Sequence, residues 1–283
     1  MFICYLIMGA LYVVFISVLL YFGFGFFPTM IVSVIMMLSQ WYFSDRIVLW
    51  SSGAKVVSKE QNPKLHILVE NLCKVANLPK PKIAIMNSPV PNAFATGKNH
   101  SSSIVAVSTS LMSLLDDQEL EGVIGHELSH IKSRDVLVLT LASIFSTMAM
   151  YLVRFGTFST LYGRRNTRDN NNAGIGLIIV VGLITWVISF LIIRAISRYR
   201  EYVADRNSAQ LTGKPLKLAD ALAKISGSMK SIPEKNLKAS ESLNAFFIIP
   251  DISSGTLMNV LSTHPPVEKR IEKLKEMELQ KYG

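Results

Sequence analysis

A mainly helical α+β fold with a small β-sheet, accompanied by transmembrane helices, is the class this sequence predicts. Three observations carry it: long uncharged apolar runs, two short strand-like stretches, and a helix-periodic stretch holding two histidines four residues apart. Half of the 283 residues are hydrophobic and only 17% are charged, with a mean hydropathy of +0.35. That is apolar for a water-soluble chain of this size and points to a bilayer. The net charge of +9 does not make a nucleic-acid partner. Its basic residues cluster beside the apolar runs, where the positive-inside rule expects them, and none interleaves with aromatics as a stacking surface. A GxxxxGK[ST] segment is absent, so no nucleotide partner is expected. Of the two cysteines, Cys4 falls in an apolar run and Cys73 in a helix-like segment, which argues against a disulfide and for a reducing compartment.

Residues 1–44 carry no charge before Asp45. Phe2 to Phe27 is one apolar run and Pro28 opens a second, with Gly23, Gly25 and Pro28 as the punctuation between them. Neither a basic leading region nor a small-residue cleavage site is visible, so the expectation is a retained hairpin of spanning segments 4–27 and 28–44. Arg46 and Lys55 follow it and place what comes next in the cytoplasm. Residues 61–77 read as an amphipathic helix, with Leu65, Leu68, Val69, Leu72 and Val75 on one stripe. Ile83 to Met86 and Ile104 to Thr109 are strand candidates. Between them lies Asn92 to Gly97, a candidate sheet edge on which an extended peptide can pair its backbone.

The metal-binding signal is Val123 to Ile131. His126 and His130 lie on one helix face, one turn apart, which lets two imidazoles bind a single Zn²⁺. Glu127 beside them is placed to take a proton from water activated at the metal. Asp116 with Glu119 reads as a capping box, and Leu120, Val123, Ile124, Leu128 and Ile131 recur at helical spacing. Gly122 and Gly125 each cost helix propensity, about 1 kcal/mol relative to Ala, and hint at close packing against another element. The bland alternative is a helix that holds two satisfied histidines by chance. Five histidines in 283 residues weigh against it.

Two further apolar runs, 136–153 and 173–193, form a second hydrophobic pair. The loop between them carries Arg154, Arg164, Arg165 and Arg168 against Asp169 alone, which conflicts with an outer placement. Lys132, Arg134, Arg194, Arg198 and Arg200 at the flanks favour two spanning segments, and a re-entrant or domain-buried pair remains the alternative. The domain plan is therefore 1–44 as an N-terminal hairpin, 45–135 and 194–283 as two parts of one catalytic domain, and 136–193 as the second helix pair. A hairpin at 136–193 brings the segment after it back beside the histidine helix. That places Glu201 well as a candidate third ligand, with Asp205 one turn on able to accept the second ring N–H of a liganding histidine. An i,i+4 surface pairing of Glu201 is the competing reading. His264, held ahead of Pro265 and Pro266, is either a cap or a group reaching the metal site.

In order along the chain, Asn92-Ala-Phe-Ala-Thr-Gly97, His126-Glu-Leu-Ser-His130, Arg200-Glu-Tyr-Val-Ala-Asp-Arg206 and Ser262-Thr-His-Pro-Pro-Val-Glu-Lys-Arg270 resemble the HtpX family of membrane-bound zinc metalloproteases, relatives of the CAAX prenyl proteases. The match covers nearly the whole chain. It implies a zincin-like metalloprotease domain with one Zn²⁺ per chain, bound by His126, His130 and Glu201, with Glu127 as general base. It implies that Asn92, Ala93 and Phe94 border the substrate cleft and that His264 lies near it. The implied setting is a multi-pass protein of the inner cell membrane with its catalytic domain facing the cytoplasm. Its partners there are the lipid bilayer and polypeptide substrates, misfolded membrane proteins among them, cleaved under envelope stress. A non-enzymatic membrane scaffold is the alternative from another class, and an intact Glu127 argues against it. The many charges flanking Gly125 to Ile131 argue against a site inside hydrocarbon.

Overall fold

Apolar residues with high strand propensity flank the Asn92–Gly97 segment on both sides, and both flanks are strands in the computed structural model. The structure describes residues 26–97, 99–135, 137–138, 171–229, 232 and 264–280. Strands β1 (Lys55–Val56), β2 (Lys82–Met86), β3 (Ala93–Thr96) and β4 (Ile104–Ser108) form one sheet in the order β1-β2-β4-β3. β2 and β4 run parallel, while β1 and β3 are antiparallel to their neighbours. β4 is buried along its whole length, as a central strand must be. Ile83, Val105 and Val107 turn toward the main core, and Ala84, Met86, Phe94, Ile104 and Ala106 form the opposite layer. That alternation is the period-two geometry of a strand.

The helices are α1 (Phe26–Tyr42), α2 (Ser44–Ser52), α3 (Pro63–Ala76), α4 (Thr109–Leu114), α5 (Asp117–Ser133), α6 (Asn171–Thr212), α7 (Pro215–Met229) and α8 (Val267–Leu279). α3 starts on an Asn62 cap with Pro63 at its first position and buries Leu65, Val69, Leu72 and Cys73. Two compact units share the chain: 42–137 together with 196–283, and 2–41 together with 138–195. The sheet and every residue of the site described below belong to the first.

α5 is the helix around which that unit packs. Asp116 accepts from the backbone N–H groups of Gln118 and Glu119, and the Glu119 carboxylate accepts from Asp116 N–H, so both halves of the capping box are present. The two glycines mark close approaches. A Cβ at Gly122 would lie 3.2 Å from the Leu218 backbone of α7, and one at Gly125 would lie 2.8 Å from Ser208 Oγ of α6. Ser208 Oγ donates to the Gly122 carbonyl at 2.6 Å, tying α6 to α5 at the point where they touch. α5 ends at Arg134, which adopts the left-handed conformation (φ 53°) and returns its N–H to the His130 and Ile131 carbonyls.

The mainly helical fold with a small sheet is observed, but the transmembrane helices expected from the sequence are corrected. Among the described residues no helix is long and apolar enough to cross a membrane. The run 28–44 lies mostly in α1, whose 17 residues extend about 25 Å at ~1.5 Å per residue, short of a hydrocarbon core of ~30 Å. The run 173–193 is the leading part of α6, a helix of 42 residues that continues through Arg194, Arg198, Arg200, Glu201, Asp205 and Arg206. With these runs falls the multi-pass placement in the inner membrane that was built on them. Residues 4–25 of the first run and nearly all of 136–153 lie outside the described residues.

Candidate metal centre

The metal helix and the returning part of α6 lie side by side, and three groups meet between them. Ligand atoms of His126, His130 and Glu201 all lie within 4.8 Å of one another. Nε2 of His126 is 3.0 Å from Nε2 of His130. The Glu201 carboxylate straddles both, with Oε2 3.6 Å from His126 Nε2 and Oε1 3.5 Å from His130 Nε2. The far nitrogens of the rings are occupied. His126 Nδ1 is 2.9 Å from Asp205 Oδ1, and His130 Nδ1 is 2.6 Å from Asp135 Oδ2.

These contacts test whether a zinc ion fits. A carboxylate accepts only, so each ring places its proton on Nδ1 and turns an Nε2 lone pair inward. Two lone pairs and a carboxylate then converge on one point. Such a convergence calls for a cation. Two histidines and one carboxylate are a catalytic zinc donor set that leaves a position open for water or substrate.

Burial and the neighbouring charges set the electrostatics of the cluster. Burial alone would lower the pKa of His126, but the Asp205 and Glu201 carboxylates override it and raise it to about 9. His130 is held below its ordinary value by burial and by His126 beside it. Burial raises Glu127 above the ordinary carboxylate range, partly offset by the two histidines. Burial works the same way on Glu201, yet His264 and Arg270 hold that carboxylate well below the usual range.

Arg270 of α8 closes the cluster from behind. It is 1% exposed and grips Asp205 with two hydrogen bonds, Nε to Oδ2 at 2.8 Å and Nη2 to Oδ1 at 2.7 Å. Its Nη1 is 3.2 Å from Glu201 Oε2. A bidentate arginine–carboxylate pair of this kind is strong and geometrically specific. Replacing Arg270 by Met strips the positive partner from two buried carboxylates, and the expected loss of stability is about 3–5 kcal/mol. Urea unfolding of the purified variant measures it, and a loss below ~1 kcal/mol would contradict this role.

The structure places the residues singled out from sequence as follows. His126, His130, Glu201 and Asp205 come together, Glu127 feels the charges of His126, His130 and Glu201, and its carboxylate accepts a hydrogen bond from the Ala95 backbone N–H. His264 is adjacent, its Nδ1 3.2 Å from Glu201 Oε2. Ala93 and Phe94 start the edge strand, with Asn92 just before it, and all three residues are buried. Asp135, Arg200 and Arg270 were not singled out. A basic residue within the Ser262–Arg270 motif was the one signal for Arg270, and nothing in helical periodicity points to Asp135.

A model described as peptidase family M48 matches residues 59–278. The protease HtpX homolog of Moorella thermoacetica is 48% identical over 279 residues, covering 98% of this chain and 93% of that protein. The chain belongs to peptidase family M48, in its HtpX branch. A second relative, protease HtpX homolog 2 of Methanosarcina mazei, is 46% identical over 272 residues, 96% of this chain and 92% of that one. The crystal structure of S. mikatae Ste24p shares the fold, with a TM-score of 0.59 at 18% identity over 96% of this chain. The chain spans 64% of that protein's length. Membership of M48, together with a His126–His130–Glu201 cluster suited to one Zn²⁺, makes this protein a zinc metalloendopeptidase.

Proposed function

We propose that His126, His130 and Glu201 hold the zinc, that Glu127 is the general base, and that the substrate lies along β3. The observation that carries this reading is the convergence of three acceptors within 4.8 Å, with both histidine Nδ1 atoms already committed to aspartates. When bound, zinc supplies a Lewis acid that polarises the scissile carbonyl and acidifies water. Glu127 carries the proton: its carboxylate, made more basic by burial, takes one from water and passes it to the leaving amine. Asp205 and Arg270 fix the His126 ring so that it does not rotate away.

β3 supplies the peptide track. It is at the sheet edge, and no other strand among the described residues pairs with its outer side. Asn92 O accepts from Ser108 N–H, so by strand alternation Ala93 and Ala95 aim their backbone groups away from β4. The Ala95 N–H is taken by Glu127, which ties the base to the track. Pairing of this kind reads backbone and is nearly blind to side chains, but it requires an extended segment. Quality control needs that selectivity, because damaged proteins expose such segments and intact ones do not. The substrates we assign are misfolded or damaged proteins, membrane proteins among them, in keeping with the HtpX branch. The stretches 45–135 and 194–283 act as one catalytic domain, a reading supported by one compact unit that holds 42–137 and 196–283.

Metal analysis of the purified protein is expected to give one zinc per chain. Casein digestion should stop with a chelator and resume when zinc is returned. Digestion that persists after the metal is stripped would overturn the reading.

A further inference from the structure

The two zinc-facing histidines are held by different devices, and only one uses a residue on the same helix face as a ligand. Asp205 sits one turn beyond Glu201, so α6 presents both together. Asp135 is five residues beyond His130, and in an unbroken helix that spacing would carry it about 140° around the axis. The left-handed turn at Arg134 (φ 53°) removes the problem. It ends α5 and folds the chain back so that Asp135 Oδ2 reaches His130 Nδ1 at 2.6 Å. A left-handed arginine costs roughly 1–2 kcal/mol, and a strained residue of that kind is retained when something depends on it.

A second arginine meets this aspartate. Arg200 Nη2 pairs with Asp135 Oδ1 and donates to the Ser133 carbonyl at 2.9 Å, one of the orphan carbonyls at the end of α5. Arg200 immediately precedes Glu201, and successive residues on a helix point about 100° apart. α6 therefore directs Glu201 to the inner face of His130 and Arg200 to the aspartate behind it. The result parallels His126–Asp205–Arg270: an imidazole, an aspartate on its Nδ1, and an arginine on the aspartate.

We infer that Asp135 and Arg200 are a positioning pair for His130, with Asp135 fixing the ring's tautomer and direction and Arg200 fixing Asp135. The inference rests on the reading of His130 as a zinc ligand. Carboxylates placed behind liganding histidines typically contribute 10–100-fold to metal affinity. The test is competition for zinc against a chelator, with the visible absorption of the cobalt-substituted protein as a report on ligand geometry. Asp135→Ala is expected to weaken zinc binding about 10–100-fold and to shift the cobalt bands. Arg200→Ala should weaken it less, and should add nothing once Asp135 is already alanine, whereas Arg200→Lys should recover part of the loss. Asp135→Asn keeps the shape and should still lower affinity, which covers the case in which the alanine variant fails to fold. If Arg200→Ala acts equally with and without Asp135, the arginine is only a helix cap and the pair is refuted. Wild-type affinity and unchanged cobalt bands in both Asp135 variants would overturn the role of Asp135. His130→Ala separates the two readings. If it keeps wild-type zinc affinity, the ligand assignment fails; if it loses zinc while the Asp135 variants do not, only the present inference fails.

Discussion

Glu127→Gln is expected to keep one zinc per chain while peptide hydrolysis falls about 10²- to 10⁴-fold, the usual share of a general base. Glutamine has the size of the glutamate and can still accept from the Ala95 N–H, so the edge strand stays in place. It has no carboxylate to receive a proton from water. The 4% exposure of Glu127 matters here, because bulk solvent has little access to replace it as the proton carrier. Zinc content by metal analysis and turnover of casein, measured on the same preparation, decide the matter. Near-normal turnover would remove Glu127 from the role.

Glu201→Ala is expected to lose both metal and activity. The substitution takes away the carboxylate that straddles the two Nε2 atoms, leaving two imidazoles to hold the ion. It also leaves Arg270 with Asp205 as its remaining carboxylate partner in the cluster. A surface carboxylate changed in the same way would shift stability by no more than ~0.5 kcal/mol and leave zinc stoichiometry alone. One zinc per chain in this variant would instead point to His264 or Asp205 as the ligand.

Much of the site was legible because helical periodicity is local information. The spacing of His126 and His130 and the Asp116–Glu119 box follow from residues a few positions apart, and Gly122 and Gly125 announced close packing without naming Leu218 or Ser208 as what they admit. The placement of Asp205 one turn beyond Glu201 follows the same rule. What periodicity misses is a reversal of chain direction. Asp135 reaches His130 only through the left-handed Arg134, and an arginine at that position carries no glycine-like signal. Arg270 joins the site from a separate helix, and nothing in its own neighbourhood shows that it is buried. Hydropathy misled in the other direction. An apolar run reads alike whether it is a free-standing span or part of a longer helix, as the continuation of 173–193 into the ligand-bearing half of α6 illustrates.

The grip of Arg270 on Asp205 joins residues 65 positions apart, and that separation has a consequence for biosynthesis. At ~5–20 residues per second, the ribosome needs about 3–13 s to go from one to the other. During that interval the histidines and Glu201 have been made, but the cation that neutralises the carboxylates around them has not. In a nascent chain the His126–Asp205–Arg270 arrangement is therefore completed only once residue 270 has been made.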